Sequence, residues 1–170
     1  MIHYHGGPIT PDTFAIKAWK SRHAFISFAN NSQIGLASEI TQSFAIDNGA
    51  FTLWKQGGEI CWDRYYDFVN EWMNHPGFDF AVIPDVIGGS EFENDKLINE
   101  WPHGDVVGVP VWHMNESDDR FIRLCRRFPR VAIGSCGDYD VKFPSRCVEK
   151  LHDVIRNVVD KNGYPLTKLH

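Results

Sequence analysis

Asp47 and Asp85 are the residues whose type and placement point most directly to chemistry. Asp47 opens the run Asp47-Asn48-Gly49-Ala50-Phe51, and Asp85 follows Pro84 ahead of Val86-Ile87-Gly88-Gly89. Each stands where an apolar, β-rich run gives way to polar and glycine-rich residues. Two carboxylates in one partly desolvated pocket suit acid–base or nucleophilic work, because burial and mutual repulsion push their pKa values apart. A carboxylate also reads a purine-like edge, since it accepts two N–H bonds side by side. Gly49, Gly88, Gly134 and Gly137 let backbone approach a flat ligand closely. Phe51, Trp54 and Trp112 are of the type that stacks on its faces. The combination describes a nucleobase pocket. His113, at the end of another such run, is expected to meet Asp47 and Asp85 there. Each residue also has a plain structural alternative: Asp47 as a turn former, Asp85 as the cap of a following turn, His113 as a satisfied core histidine.

The elements that must position these groups follow from periodicity. Apolar β-rich runs cover Ile2–His5, Ala24–Phe28, Ser43–Asp47, Phe78–Pro84, Val106–His113, Arg130–Gly134 and Leu166–His170. Helical patterns lie between them. Thr10-Pro11-Asp12 reads as a helix start, and Ser90-x-x-Glu93 as a capping box opening a helix that ends near Trp101. Tyr65, Phe68, Val69, Trp72 and Met73 form one helical stripe. Phe121, Leu124, Cys125 and Phe128 form another, and Val148, Leu151, Ile155 and Val158 a third. Seven strands separated by helices imply an α/β fold with a parallel sheet. Two closures are open. A doubly wound sheet binds its ligand at a topological switch point; a (β/α)8 barrel binds at the C-terminal strand ends, and seven strands are one short of it. Neither glycine-rich phosphate motif is present, so a nucleotide-binding sheet lacks its cradle. Either way, polar clusters at successive strand ends converge on one face.

Composition bounds the rest. The 170 residues are 43% hydrophobic and carry a formal charge of −5, which describes one globular domain spanning 1–170. The acidic balance excludes a general nucleic-acid coat, whose affinity would come from phosphate neutralisation. A local basic stripe remains: Arg120, Arg123 and Arg127 at helical spacing, either a solvated helix face or a phosphate contact. No apolar run is long enough to span a bilayer, and residues 1–5 lack the character of a signal peptide; a cytoplasmic address is expected. Cys61, Cys125, Cys136 and Cys147 form no C-x-x-C pair or zinc spacing, so free thiols are expected, with no metal and no cofactor.

At these residues the chain resembles the tRNA-guanine transglycosylase superfamily. It is most similar to the small phage and bacterial branch related to DNA 7-deazaguanine transglycosylases. The resemblance rests on HYHGGP (3–8), SFAIDNGAFTLWKQG (43–57), FDFAVIPDVIGG (78–89), VPVWHMNES (109–117), VAIGSCGDY (131–139) and TKLH (167–170). It implies a (β/α)8-type barrel, incomplete or atypically closed, that breaks or exchanges N-glycosidic bonds to a base in DNA or tRNA, with DNA preferred. It implies acid–base work for Asp47, base-edge recognition by Asp85 and backbone contact at Gly134. In the family the covalent nucleophile is an aspartate on the last barrel strand, and nothing up to His170 matches it. Asp47 or Asp85 would then attack C1′ or activate water. The cysteine-rich zinc site of the tRNA enzymes has no counterpart here.

The expected site therefore has Asp47 and Asp85 as catalytic residues. His5, Asn48, Gly49, Phe51, Trp54, Trp112, His113, Gly134, Ser135 and Lys168 are expected to bind substrate, which includes free nucleobase. A DNA glycosylase excising a modified base, extruded from the helix, is one alternative. A metal-dependent, amidohydrolase-like hydrolase using His3, His5 and His113 is another. A noncatalytic base-binding module is the third. Apolar surface at an open barrel side would favour a homodimer.

Overall fold

A computed structural model describes residues 2–57, 60–134, 139 and 144–170. The chain forms two compact units, Met1–Ile87 and Gly88–His170. Both are built of alternating strands and helices with parallel strand pairing, which is the α/β class that the sequence periodicity predicts.

In the first unit, β1 (Tyr4–Gly6), β2 (His23–Ser27), β3 (Ser43–Asp47) and β4 (Phe78–Val82) lie side by side in chain order. Helices α1 (Asp12–Trp19), α2 (Ile34–Ile40), α3 (Ala50–Gln56) and α4 (Trp62–Trp72) supply the crossovers that parallel pairing requires. Along β2 the buried residues are Ala24 and Ile26, alternating with half-buried His23, Phe25 and Ser27. This period-two pattern fixes which face each residue takes. On β3, Phe44, Ala45 and Ile46 are all buried, as expected of a strand with neighbours on both sides. Register places Ser27 opposite Asp47 at the C-terminal strand ends. Between β3 and β4 the register slips, with Phe44 opposite Phe78 but Ala45 opposite Phe80. Asp79 is the extra residue of this bulge, and the Tyr4 hydroxyl donates to it. Trp19 is buried over Gly7 and Ile26, and its indole N–H donates to the His5 carbonyl at 3.1 Å. On α4, Tyr65 and Val69 are the fully buried members of the predicted stripe.

The second unit contains α5 (Glu91–Glu100), α6 (Gly104–Val107), β5 (Gly108–Val109), β6 (Val111–His113), α7 (Asp118–Arg127), β7 (Arg130–Gly134), α8 (Pro144–Ile155) and β8 (Lys168–Leu169). Strands β6, β7 and β8 pair in parallel. The Ser90 capping box forms as its sequence predicts: the Ser90 hydroxyl accepts from the Glu93 amide, and the Glu93 carboxylate accepts from the Ser90 amide. Two expectations change. Val106–His113 is not one strand. Val106 and Val107 belong to α6, and the remainder splits at Pro110, which has no N–H for the ladder. In α8 Val148 is 64% exposed and Val154 takes the fully buried place, while Val158, in the turn that follows the helix, is buried as the stripe predicts.

Candidate active site at the strand ends of the first unit

The turn after β3 is built so that three consecutive residues do different work. Gly49 has φ +74°, and a Cβ there would come within 2.9 Å of the Ala29 backbone nitrogen. Glycine is therefore demanded both by conformation and by space. Its amide donates to Asp47 Oδ2 at 3.1 Å. Asn48 is 2% exposed, and its Oδ1 accepts from the Ala50 amide at 2.8 Å, which closes the turn and starts α3. The Asn48 Nδ2 group donates to the Ile83 carbonyl at 2.9 Å and to Asp85 Oδ1 at 2.7 Å. Asn48 thus ties the end of β3 to the chain leaving β4, and it brings Asp85, 7% exposed, to the neighbourhood of Asp47.

Electrostatics separates the carboxylates from ordinary surface acids. Burial raises the Asp47 pKa above 3.8, and the charge of Asp85 adds to the rise. The Gly49 amide favours the ionised form and pulls it partly back. Beneath them the Tyr65 hydroxyl donates to the Val82 carbonyl at 2.6 Å. Burial, then the charges of Asp47 and Asp85, push the Tyr65 pKa well above 10.0, so Tyr65 stays a neutral donor. The sequence offered Tyr65 only as one member of a core stripe. Its place near both carboxylates came from the packing of α4.

The other expected site residues divide. Phe51 and Trp54 lie on α3 just past the turn, 53% and 55% exposed, with their rings stacked at 6.0 Å and Lys55 Nζ 4.2 Å from the Phe51 centroid. They form an open aromatic surface on the helix that starts at the Asp47 turn. His5 is half-buried on β1, and its carbonyl is engaged by Trp19. Trp112 is not a stacking wall. It is fully buried, packed on Phe121 at 4.6 Å, with its indole N–H donated to the Ser117 carbonyl at 3.1 Å. Packing on Phe121 of α7 holds it in the core. Lys168 is exposed on β8, in register with Arg130. Ser135, like Cys136 and Gly137, lies outside the described residues. Gly134 is where a close approach occurs within the protein itself: a Cβ there would come within 2.9 Å of His113 Cδ2.

His113 belongs to the second unit, where it enters a buried polar network that the sequence reading did not anticipate. The backbone amide of His113 donates to Glu116 Oε2 at 2.9 Å. Arg120 Nη1 donates to the same oxygen at 2.6 Å and to the Val111 carbonyl at 3.0 Å. Asn94 Nδ2 donates to Glu116 Oε1 at 2.9 Å, and Arg120 Nε to Asp95 Oδ1 at 2.8 Å. Although burial opposes ionisation, contacts with His113, Arg120 and Asn94 hold the Glu116 pKa below 4.5. Glu116 stands just ahead of the Ser117 cap of α7 rather than on the helix, so helical spacing did not signal its pairing with Arg120. This network corrects the basic stripe. Arg120 is completely buried; Arg123 approaches Asp95 at 3.4 Å, and Arg127 pairs with Asp105 at 2.9 Å. A stripe neutralised in this way offers little to a phosphate backbone.

Among the described residues, no three His, Cys, Asp or Glu side chains are grouped so as to hold a metal ion. Cys61, Cys125 and Cys147 are free thiols, and burial pushes the Cys125 thiol up to about 12. No helix among the described residues is long and apolar enough to cross a membrane. Comparison with protein families, with curated proteins and with solved structures finds no match for this chain.

Proposed function

We propose that the protein acts on the N-glycosidic bond of a nucleobase in nucleic acid, releasing or exchanging the base, on an α/β fold of the barrel type. The observation that carries this reading is the turn at 47–49: it holds Asp47, whose pKa burial raises, near Asp85, which Asn48 grips through its side-chain amide. Breaking such a bond leaves electrons on a ring nitrogen of the departing base. Asp47, its pKa raised by burial, delivers a proton to that nitrogen as the bond to C1′ breaks. Asp85 accepts hydrogen bonds from the N–H edge of the same base. The sugar carbon then takes water, in excision, or an incoming base, in exchange. The exposed Phe51 and Trp54 rings supply a stacking surface for an unpaired base, a contact worth roughly 1–3 kcal/mol per base.

The resemblance favours DNA over tRNA and a 7-deazaguanine-type base over an ordinary one. The test incubates the protein with DNA carrying such bases, and separately with tRNA, each with and without labelled free base. Release or incorporation of base that disappears in Asp47→Asn and Asp85→Asn supports the proposal. No release and no exchange on either nucleic acid removes it, as does activity unaltered by both substitutions. Tight binding of free base without turnover replaces it with a noncatalytic base-binding module. Among the described residues no cluster of metal-ligating side chains favours the metal-dependent hydrolase.

A further inference from the structure

Ser27 ends β2 as Asp47 ends β3, and the parallel register sets the two opposite each other. Residues paired in this way point to the same face of the sheet, and adjacent strands lie about 4.8 Å apart. A serine hydroxyl and an aspartate carboxyl close that span between them. Ser27 as a residue is half-buried, yet its Oγ is shut off from solvent and has no hydrogen-bond partner among the described residues. The hydroxyl packs against the turn that carries Asp47: a Cβ on Gly49 would lie 3.1 Å from Ser27 Oγ, and the Gly49 amide donates to Asp47 Oδ2. Buried polar groups as a rule find a partner, so a hydroxyl left over beside a carboxyl calls for a reason. It is a single donor that swings among staggered positions about χ1. Among the described residues of the first unit, the titratable groups acting on Asp47 are Asp85, from the chain leaving β4, and Tyr65, from α4. Asp85 is itself an acid and Tyr65 stays neutral, so neither supplies a positive charge to steady an ionised Asp47.

We infer that Ser27 is a positioning residue for Asp47, its hydroxyl turning to donate to the carboxylate once Asp47 has given its proton to the departing base. In that step the Asp47 O–H bond breaks and an N–H bond forms on the base, while the electrons of the C1′–N bond pass to that nitrogen. Asp47 is left as a carboxylate in a buried place, held by the Gly49 amide. Ser27 adds a second donor and transfers no proton itself. Asp47 recovers its proton from the water that attacks the sugar carbon, or from the N–H of an incoming base. The inference rests on the glycosidic reading for the event that ionises Asp47, and on the geometry of β2 and β3 alone for the pairing.

Carbon-13 NMR of the aspartate carboxyl carbons, on the full chain from pH 3 to 8, tests it. The Asp47 signal is assigned by its loss in Asp47→Asn. Losing a donor to the charged form raises a carboxyl's pKa, so Ser27→Ala should move the Asp47 midpoint up by about one pH unit. Ser27→Thr keeps the hydroxyl and should return the midpoint toward the wild-type value. The Asp160 carboxyl, held by its own turn in the second unit, should stay where it is in both variants. An Asp47 midpoint unchanged or lowered in Ser27→Ala overturns the inference. So does a rise that Ser27→Thr leaves in place, because lost packing then explains it, and so does a rise that Asp160 shares. Should Ser27→Ala not fold, Ser27→Cys is read instead; its weaker donor should still raise the midpoint, and no rise overturns the inference. On a nucleic-acid substrate the basic limb of the pH profile of kcat should move upward in Ser27→Ala together with the midpoint, with KM little changed. The expected midpoints together with no base chemistry in the wild-type protein would overturn the glycosidic reading and leave the pairing of Ser27 with Asp47 standing. Base chemistry with an unmoved midpoint would do the reverse.

Discussion

Replacing Asn48 with alanine puts the architecture of the candidate site to a quantitative test. The side chain makes three hydrogen bonds, to the Ile83 carbonyl, the Asp85 carboxylate and the Ala50 amide, and it is 2% exposed. Two of these bonds are between neutral groups, at about 1 kcal/mol each, and one is to a charge, at about 2 kcal/mol. The sum is roughly 4 kcal/mol, and because partners stay behind in a buried place, little of it is recovered. Urea denaturation at pH 7 should show a loss of about 3–4 kcal/mol, and thermal unfolding a fall of about 10 °C. A double-mutant cycle with Asp85→Asn isolates the charged bond. The two substitutions should be non-additive by about 1–2 kcal/mol, because Asn48→Ala costs less once Asp85 carries no charge. A loss below 1 kcal/mol, or strict additivity with Asp85→Asn, would refute the view that Asn48 is the bridge between the two strand ends.

Other outcomes follow from the same geometry. The Asp47 pKa is raised in the folded protein above its ordinary 3.8, so the native state holds this proton more tightly and loses relative stability as pH rises through the window above 3.8. Asp47→Asn should therefore unfold at higher urea than wild type at pH 7, the advantage vanishing below pH 3.8; equal midpoints at both pH values would contradict the burial of that carboxylate. Trp112→Ala should cost about 3–5 kcal/mol, as for any fully buried tryptophan, whereas a stability change below 1 kcal/mol would return Trp112 to the list of ligand contacts. Phe51→Ala and Trp54→Ala should each change stability by less than about 0.5 kcal/mol yet weaken single-stranded nucleic-acid binding about fivefold or more in fluorescence titrations. Unchanged affinity in both would show that the aromatic surface on α3 does not meet the ligand.

The local patterns were legible because they are written in neighbouring residues. The apolar run Ala24–Phe28, the capping box at Ser90, and the turn signal Asp47-Asn48-Gly49 each depend on residues a few positions apart. The parallel α/β class follows from strands alternating with helices, and the structure has it. Asp47, Asp85 and His113 were expected to share one pocket from strand ends converging on one face; what the structure describes is Asn48 gripping Asp85 beside the Asp47 turn, with His113 in the Glu116 network of the second unit. What only the tertiary structure decided is which side of an element faces inward and what it finds there. Trp112 and Arg120 are residue types that often contact ligands, but packing between β6 and α7 buries both. Arg120 can be buried because Glu116, from the turn before α7, and Asp95, from α5, balance its charge. Asn48 looked like a ligand contact and serves as a bridge, since its partners at 83 and 85 are supplied by another strand. Such pairings join residues far apart in the chain, and no local pattern records a partner's position.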